Sequence, residues 1–439
     1  MTDRAARLCS LLLMVACGGV DGPALPDAGA PDALDALAPD AAAAPAPYIG
    51  DVLDCGRPAL AGGLTAGADL QRVDLDPIAF PGALCNDGTR GFFYVRPATS
   101  VAARDRWVIQ LQGGGACTTP DSCARRWCRV DTNFGETQMT ATLSPAGGIV
   151  ADGILQQGGA GGEPNPLGDA NHVFVRYCSS DSWAGTAGAI DVDAVHPITA
   201  APVRFRIAFA GAAILDAVVA TLRRDGAAPP AYTLGGGSTT LPDLDDAVAV
   251  TFAGASAGGA GVAHQADRLR ADLRAHNTAC GGAACPLQFL ALIDSAFGPS
   301  SEHLDFSTST LCADAGLCTH PEVYAAFADT LAGRRSDASC PTWHAANDPA
   351  TAWRCDDLGH VIREHLTAPF MVRMGLTDEL LSSNLIDLGV SAGGSPLTLQ
   401  RYAELVRADL LALPAATPEE PFAAPPQAVL WARRSARRR

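Results

Sequence analysis

Short apolar runs recur along the chain, each closed by glycine or polar residues. Trp107–Gln112 reads as a buried strand that runs into Gly113-Gly114-Gly115, and His172–Tyr177 as a second that runs into Cys178-Ser179-Ser180-Asp181. Ala247–Phe252, Phe289–Ile293 and Pro369–Met374 are three more; the last two end in Asp294-Ser295 and Gly375-Leu376-Thr377-Asp378. Between strands the period changes. Over Ala208–Arg224, residues Ala208, Gly211, Ile214, Leu215, Val218, Val219 and Leu222 share one broad face at helical spacing, and Gly226 ends the pattern. A helix of about 20 residues is expected from Ala257 towards His276, and a late one over Tyr402–Leu413. The Gly-rich stretch Gly153–Gly168 and the Pro/Gly/Thr-rich insertion Ala227–Asp243 read as surface loops. Apolar strands interspersed with helices predict a mostly parallel sheet covered by helices on both faces, an α/β class fold. No internal repeat is visible.

The N-terminus has a different pattern. Arg4 and Arg7 precede a short apolar stretch, Leu8–Ala16, too short to span about 30 Å of hydrocarbon. Met14-Val15-Ala16-Cys17-Gly18 then resembles a bacterial lipobox, in which the Cys17 thiol is acylated after cleavage before it. Lipidation at Cys17 is the favoured reading, beside plain secretion and an uncleaved anchor. Residues 18–48 are mostly Ala, Pro, Asp and Gly. Such a segment buries too little apolar surface to offset its ordering entropy, and it reads as a disordered spacer. Residues 49–422 are expected to form one folded domain, followed by an Arg-rich tail over 423–439.

Composition narrows the partners. The chain of 439 residues contains no lysine and carries a net charge of −16. An acidic surface repels nucleic acid and anionic lipid, so contact with a membrane is expected only through a lipid anchor. Of the 14 cysteines, two lie in the leader and twelve remain, an even number that suggests up to six disulfides in an oxidising compartment. A rival zinc set of Cys312, Cys318, His320, Cys340 and His344 has no familiar ligand spacing, and no metal or organic cofactor is expected.

Candidate chemistry centres on Thr251-Phe252-Ala253-Gly254-Ala255-Ser256-Ala257-Gly258-Gly259. This fits G-x-S-x-G between a strand and a helix. The sharp turn exposes the serine Oγ, and side chains two residues before and after it would crowd the turn. The backbone N–H of Ala257, at the helix start, is placed to face a developing oxyanion. The Gly113-Gly114-Gly115 loop after an earlier strand can aim further N–H groups there; its bland alternative is a tight turn. For the acid, Asp378 follows a later strand, with Asp294 as competitor. The order serine, acid, histidine of α/β-hydrolases favours Asp378.

At this point a resemblance emerges. Cys85-Asn86-Asp87-Gly88-Thr89, Gln112-Gly113-Gly114-Gly115-Ala116-Cys117, Tyr177-Cys178-Ser179-Ser180-Asp181-Ser182-Trp183, Gly254-Ala255-Ser256-Ala257-Gly258-Gly259 and Trp353-Arg354-Cys355 fall in the order of the pectin acetylesterase/Notum family of carboxylesterases, which they resemble. The resemblance covers most of residues 80–422. It implies an α/β-hydrolase-like, disulfide-stapled fold, Ser256 as nucleophile, Asp378 as acid, and Gly114, Gly115 and Ala257 as oxyanion donors. It also implies the pairs Cys85–Cys178 and Cys117–Cys123. The family removes acyl groups from pectic polysaccharide or, in the Notum branch, a fatty acyl group from a signalling protein. An acetylated, pectin-like polysaccharide is the expected partner of a monomeric, exported enzyme. Where the Notum branch has a bulky aromatic after the glycine pair, this chain has Gly115.

The pattern breaks at the base. The family's histidine follows the acid in a stretch like F-A-P-x-C-x-x-H, but here Phe422-Ala423-Ala424-Pro425-Pro426-Gln427 leads to Arg433-Arg434-Ser435-Ala436-Arg437-Arg438-Arg439 and no histidine follows His365. Three explanations stay open: an out-of-frame terminal translation, a true variant without the base, or service by another histidine. His264 is eight residues after Ser256, about 12 Å along a helix, and His360 and His365 precede the acid strand. Without a base the serine is weakly nucleophilic. The opposed expectation is therefore a surface-anchored carbohydrate-binding or scaffold protein on an esterase frame.

Overall fold

The computed structural model describes residues 45–57, 63–130, 134–158, 164–223, 231–234, 237–240, 242–281, 285–327, 333 and 335–413. The proposed lipidation site Cys17, the leader, most of the spacer and the Arg-rich tail lie outside them. Twelve strands matter for the site: β1 (Ala66–Asp74), β2 (Phe92–Arg96), β3 (Arg106–Leu111), β4 (Gly148–Ile149), β5 (Asn171–Val175), β6 (Gly188–Val195), β7 (Pro202–Phe209), β8 (Ala231–Leu234), β9 (Gly237–Thr240), β10 (Ala249–Ala255), β11 (Gln288–Asp294) and β12 (Phe370–Arg373).

Eight of them form one sheet in the order β12-β11-β10-β3-β5-β2-β1-β4. The first five strands in that order are parallel, and the last three add on antiparallel. The parallel strands are those legible as apolar runs. Val108, Ile109, Val173, Val175, Phe252 and Ile293 are fully buried, as both faces are covered. The helix Gly211–Leu222 and the helix Ala257–His276 pack their apolar faces on this core, and Ala260, Val262, Ala263, Ala266 and Leu269 are buried on the second.

Two expectations need correction. The helix expected from Ala208 starts at Gly211, because Ala208 still belongs to strand β7, which ends at Phe209. Arg204-Phe205-Arg206-Ile207 alternates at the period of two, and β7 pairs with β6 so that Asp191 opposes Arg206, with Nε to Oδ1 at 2.7 Å. Likewise the insertion expected as a loop contains the hairpin β8/β9. The helix over Ala257–His276 lies where the pattern put it, and the late helix runs Leu399–Leu411.

All twelve described cysteines are paired: Cys55–Cys128, Cys85–Cys178, Cys117–Cys123, Cys280–Cys285, Cys312–Cys318 and Cys340–Cys355. The rival zinc set is thereby dismantled, since three of its members are spent as cystine. The Cys85–Cys178 bond spans 93 residues, a loop whose closure removes about 4–5 kcal/mol of unfolded-state entropy in the chain-entropy picture. It ties the turn before β2 to the C-terminal end of β5, next to the glycine loop.

Candidate active site

Strand β10 ends at Ala255 and the long helix begins at Ala257, so a single residue, Ser256, makes the turn. Its φ of 55° and ψ of −125° lie in a region that L-residues avoid. Strain of this kind is concentrated here. Of seven described non-glycine residues with positive φ, five (Ser180, Ser182, Trp183, Ser256 and Ser295) follow the C-terminal ends of β5, β10 and β11. The turn persists because its surroundings over-determine it. The Ser256 N–H donates to the Asp294 carbonyl on β11 at 2.9 Å, and the Ser256 carbonyl accepts from Ala260 at 3.0 Å. A Cβ on Gly254 would run into the Gly258 carbonyl, and one on Gly258 into the Leu111 carbonyl. The glycines flanking Ser256 are thus steric requirements. Ser256 is half-buried, and its hydroxyl has no hydrogen-bond partner among the described residues.

The glycine loop after β3 abuts this turn. A Cβ on Gly113 would strike the Ala255 carbonyl oxygen and lie 3.2 Å from the Ser256 Cβ. Gly114 and Gly115 have φ of 150° and 66°. The loop is clamped from three sides. Gln138 Nε2 donates to the Gly113 carbonyl at 3.2 Å, Trp183 Nε1 to the Gln112 carbonyl at 2.9 Å, and Cys117 N to the Ser180 carbonyl at 2.9 Å. A Cβ on Gly114 would collide with the Gln138 amide. The N–H groups of Gly114, Gly115 and Ala257 have no protein acceptor among the described residues. Fixed, unspent donors beside an unengaged hydroxyl are what stabilisation of an oxyanion requires.

The clamps rest on a buried polar loop that follows β5. Arg176, wholly buried, donates to Gln112 Oε1 at 2.6 Å, and the Tyr177 N–H donates to the same oxygen at 3.1 Å. Burial lowers the Arg176 guanidinium to about 10. Asp181 accepts from Gly211 N at 2.6 Å, Ser179 Oγ at 2.7 Å and Trp183 N at 3.0 Å. Burial pushes its carboxyl up to about 6, against those three bonds. Trp183 packs over Gly261 of the long helix, where a Cβ would lie 2.6 Å from the Trp183 Cβ. The support given by Arg176 and Asp181 is absent from the sequence reading. Its signals in the sequence are Arg176 at the end of an apolar strand and Asp181 within the Tyr177–Trp183 motif.

The acid side is built differently. Asp378 lies past the C-terminal end of β12, at the same sheet edge as Ser256 and two strands away. It is the N-cap of the helix Glu379–Asp387, accepting from Leu381 N through Oδ1 at 2.9 Å. The competitor Asp294 is engaged by Arg373 Nη1 at 3.0 Å and by Ser295 Oγ at 3.0 Å. No described histidine hydrogen-bonds to either Ser256 or Asp378. His264 is buried on the long helix, and His360 and His365 lie before β12, near the opposite edge of the sheet. His303, in the segment after β11, is exposed and bonds buried Asp409 at 3.0 Å, but through Nε2.

A family model described as pectinacetylesterase matches residues 69–282, a span that holds the glycine loop and Ser256 and stops before Asp378. The chain is 33% identical over 187 residues to the palmitoleoyl-protein carboxylesterase Notum of Drosophila melanogaster, 42% of this chain and 23% of that protein. It is 29% identical over 190 residues to the human protein of the same name, 43% of this chain and 30% of that one. The matches thus span under a third of the length of these two relatives. Among solved structures, the Wnt deacylase Notum from Drosophila superposes with a TM-score of 0.53 at 24% identity, covering 80% of this chain and 84% of that one. A second crystal form gives 0.54, with 79% and 83% covered. At that identity the likeness establishes the α/β-hydrolase-like fold.

Proposed function

Since a pectinacetylesterase family model matches residues 69–282 and Notum carboxylesterases are similar in sequence and fold, we propose that the chain is a carboxylic ester hydrolase of the pectin acetylesterase/Notum family acting through an acyl-serine intermediate. Ser256 Oγ attacks the ester carbonyl carbon. The carbonyl oxygen becomes an oxyanion that takes hydrogen bonds from Gly114, Gly115 and Ala257. The C–O bond to the alcohol breaks, the alcohol leaves with a proton, and water then hydrolyses the acyl-serine. Asp378 is the acid member, one carboxylate oxygen being spent on the helix cap. The observation that carries this reading is the left-handed Ser256, its hydroxyl unengaged and its turn touched by a glycine loop with unspent N–H groups.

The favoured substrate is an acetylated polysaccharide. Gly115 supports it, because a site without an aromatic side chain after the glycine pair has no ring there to pack on a long acyl chain. The protein is proposed to be exported as a monomer and tethered by acylation at Cys17. No helix among the described residues is long and apolar enough to cross a membrane.

The test must supply what the sequence beyond Asp378 does not, a histidine. Triad members act as a unit, so a serine without its base adds little over the residual catalysis of about 10³–10⁴ left by oxyanion hole and binding. p-Nitrophenyl acetate turnover is therefore measured with imidazole as external base, for the full chain and for Ser256→Ala. The expected result is imidazole-dependent turnover and an acetyl adduct on Ser256 in the parent chain only. Equal rates with no adduct would end the esterase reading and leave the frame as a binding scaffold.

A further inference from the structure

The segment between β11 and β12 holds a cluster of imidazoles that the ester chemistry does not use. We propose that His344, His360 and His365 form a buried site for one divalent transition-metal ion of the zinc class, joining the helix Ser339–Asn347 to the turn of helix that precedes β12.

Three observations converge. One ring nitrogen from each histidine lies within 4.8 Å of the others, together with Cys340 Sγ. Cys340 is covalently bonded to Cys355, so it carries no thiolate and stays outside the ligand set. His344 Nε2 and His360 Nε2 are 3.1 Å apart, close to the roughly 3.3 Å edge of a tetrahedron with Zn–N bonds of about 2.0–2.1 Å. All three residues are at least nine-tenths buried.

The outer nitrogens set the tautomers. Ser339 Oγ donates its one proton to Asp337 Oδ1 at 2.6 Å, so it accepts from His365 Nδ1 at 3.0 Å. Thr351 Oγ1 donates to the Asp348 carbonyl at 3.0 Å, so it accepts from His344 Nδ1 at 2.9 Å. Both rings therefore carry a bare lone pair on Nε2. A hydroxyl or carboxylate behind each imidazole is the usual support of a metal-binding histidine. Buried Asp337 and Asp357 supply negative charge nearby; the first reaches His365 through Ser339, and the second accepts from the His360 backbone N–H at 3.3 Å.

The backbone is adapted to the same end. In an α-helix His360 and His365, five residues apart, would point about 140° from each other. Here residues Val361–His365 form a π-helical turn closed by the Leu366 N–H to the Val361 carbonyl at 3.0 Å. The wider turn brings both rings to one side, with centroids 5.1 Å apart. Such turns are often found at functional sites.

The test uses the full chain with its disulfides intact, stripped with chelator. It is titrated with Co²⁺ followed by visible absorption, and with Zn²⁺ in competition. One equivalent of each is expected, with a four- or five-coordinate cobalt spectrum. His344→Gln and His360→Gln should weaken Zn²⁺ binding by more than about 100-fold, and Ser339→Ala by about 10-fold. His276→Gln, an exposed histidine elsewhere, should change nothing. Absence of cobalt uptake by the parent chain would overturn the proposal without any variant having to fold. So would uptake unchanged in folded His360→Gln, or lost equally in His276→Gln.

Discussion

The two sides of the candidate site are held to very different tolerances. On the nucleophile side every approach is closed. Gly113, Gly114, Gly254 and Gly258 have no room for a methyl group, the Ser256 turn is bonded to β11 and to its own helix, and the loop after β5 braces the glycines through Gln112 and Trp183. On the acid side Asp378 is half-buried and caps a helix that starts in solvent. The difference teaches that the two roles ask for different things. An oxyanion hole works only if its donors are fixed before the charge appears. A carboxylate needs only to stay charged and near its partner.

Substitutions on the two sides should therefore differ most in stability. The largest effect is expected from Gly258→Ala, whose methyl must displace the Leu111 carbonyl in the central parallel sheet. Overpacking of this kind costs about 3 kcal/mol or more. Urea unfolding should show either that loss or no folded protein; a midpoint unchanged from the parent would mean that the turn is looser than described. Next comes Asp181→Asn. The amide keeps the acceptor for Ser179 and Trp183 and turns a second donor onto the Gly211 N–H. A loss of roughly 2–4 kcal/mol is expected at pH 7.

Asp181 also gives a pH signature. Its folded value, about 6, stands above the 3.8 of an ordinary aspartate. An acid raised by folding contributes stability that is complete below its unfolded value and is lost as pH rises through the folded one. The contribution of Asp181 should thus fall between about pH 4 and pH 6, by up to about 3 kcal/mol, and this slope should vanish in Asp181→Asn. His172 works in the other direction. Burial lowers its value below 6.5, so its contribution is complete above that pH and is lost on acidification. Comparing the two unfolding profiles point by point isolates Asp181; identical slopes would show that its carboxylate is not strained.

What could be read from the sequence follows the same division. Parallel strands buried on both faces are apolar runs, so β3, β5, β10, β11 and β12 were visible, and the elbow was visible because its glycines answer to sterics within five residues. The hairpin β6/β7 was missed, although Asp191-Val192-Asp193 and Arg204-Phe205-Arg206 alternate, because half-buried strands next to a helix-like run offer two competing periods. The brace of Arg176 and Asp181 depends on contacts across 64 and 30 residues, to Gln112 and Gly211, and no local pattern encodes those. The histidine cluster failed for a related reason. A spacing of five between His360 and His365 argues against a shared helical face until a π-turn is known to lie between them.

The smallest stability effect is expected at Asp378, and it decides whether that residue is more than a cap. Asparagine caps a helix about as well as aspartate, whereas alanine loses about 1 kcal/mol. Asp378→Asn should therefore unfold within a few tenths of a kcal/mol of the parent, and Asp378→Ala about 1 kcal/mol earlier. Charge separates the remaining roles. A carboxylate that orients and stabilises an imidazolium must be ionised, so imidazole-supported turnover should fall in both variants alike, independently of the cap. If Asp378→Asn keeps the parent turnover while Asp378→Ala loses only stability, the residue serves the helix alone. The acid would then have to come from another carboxylate at the same sheet edge, and Asp294 would reach it only by giving up Arg373.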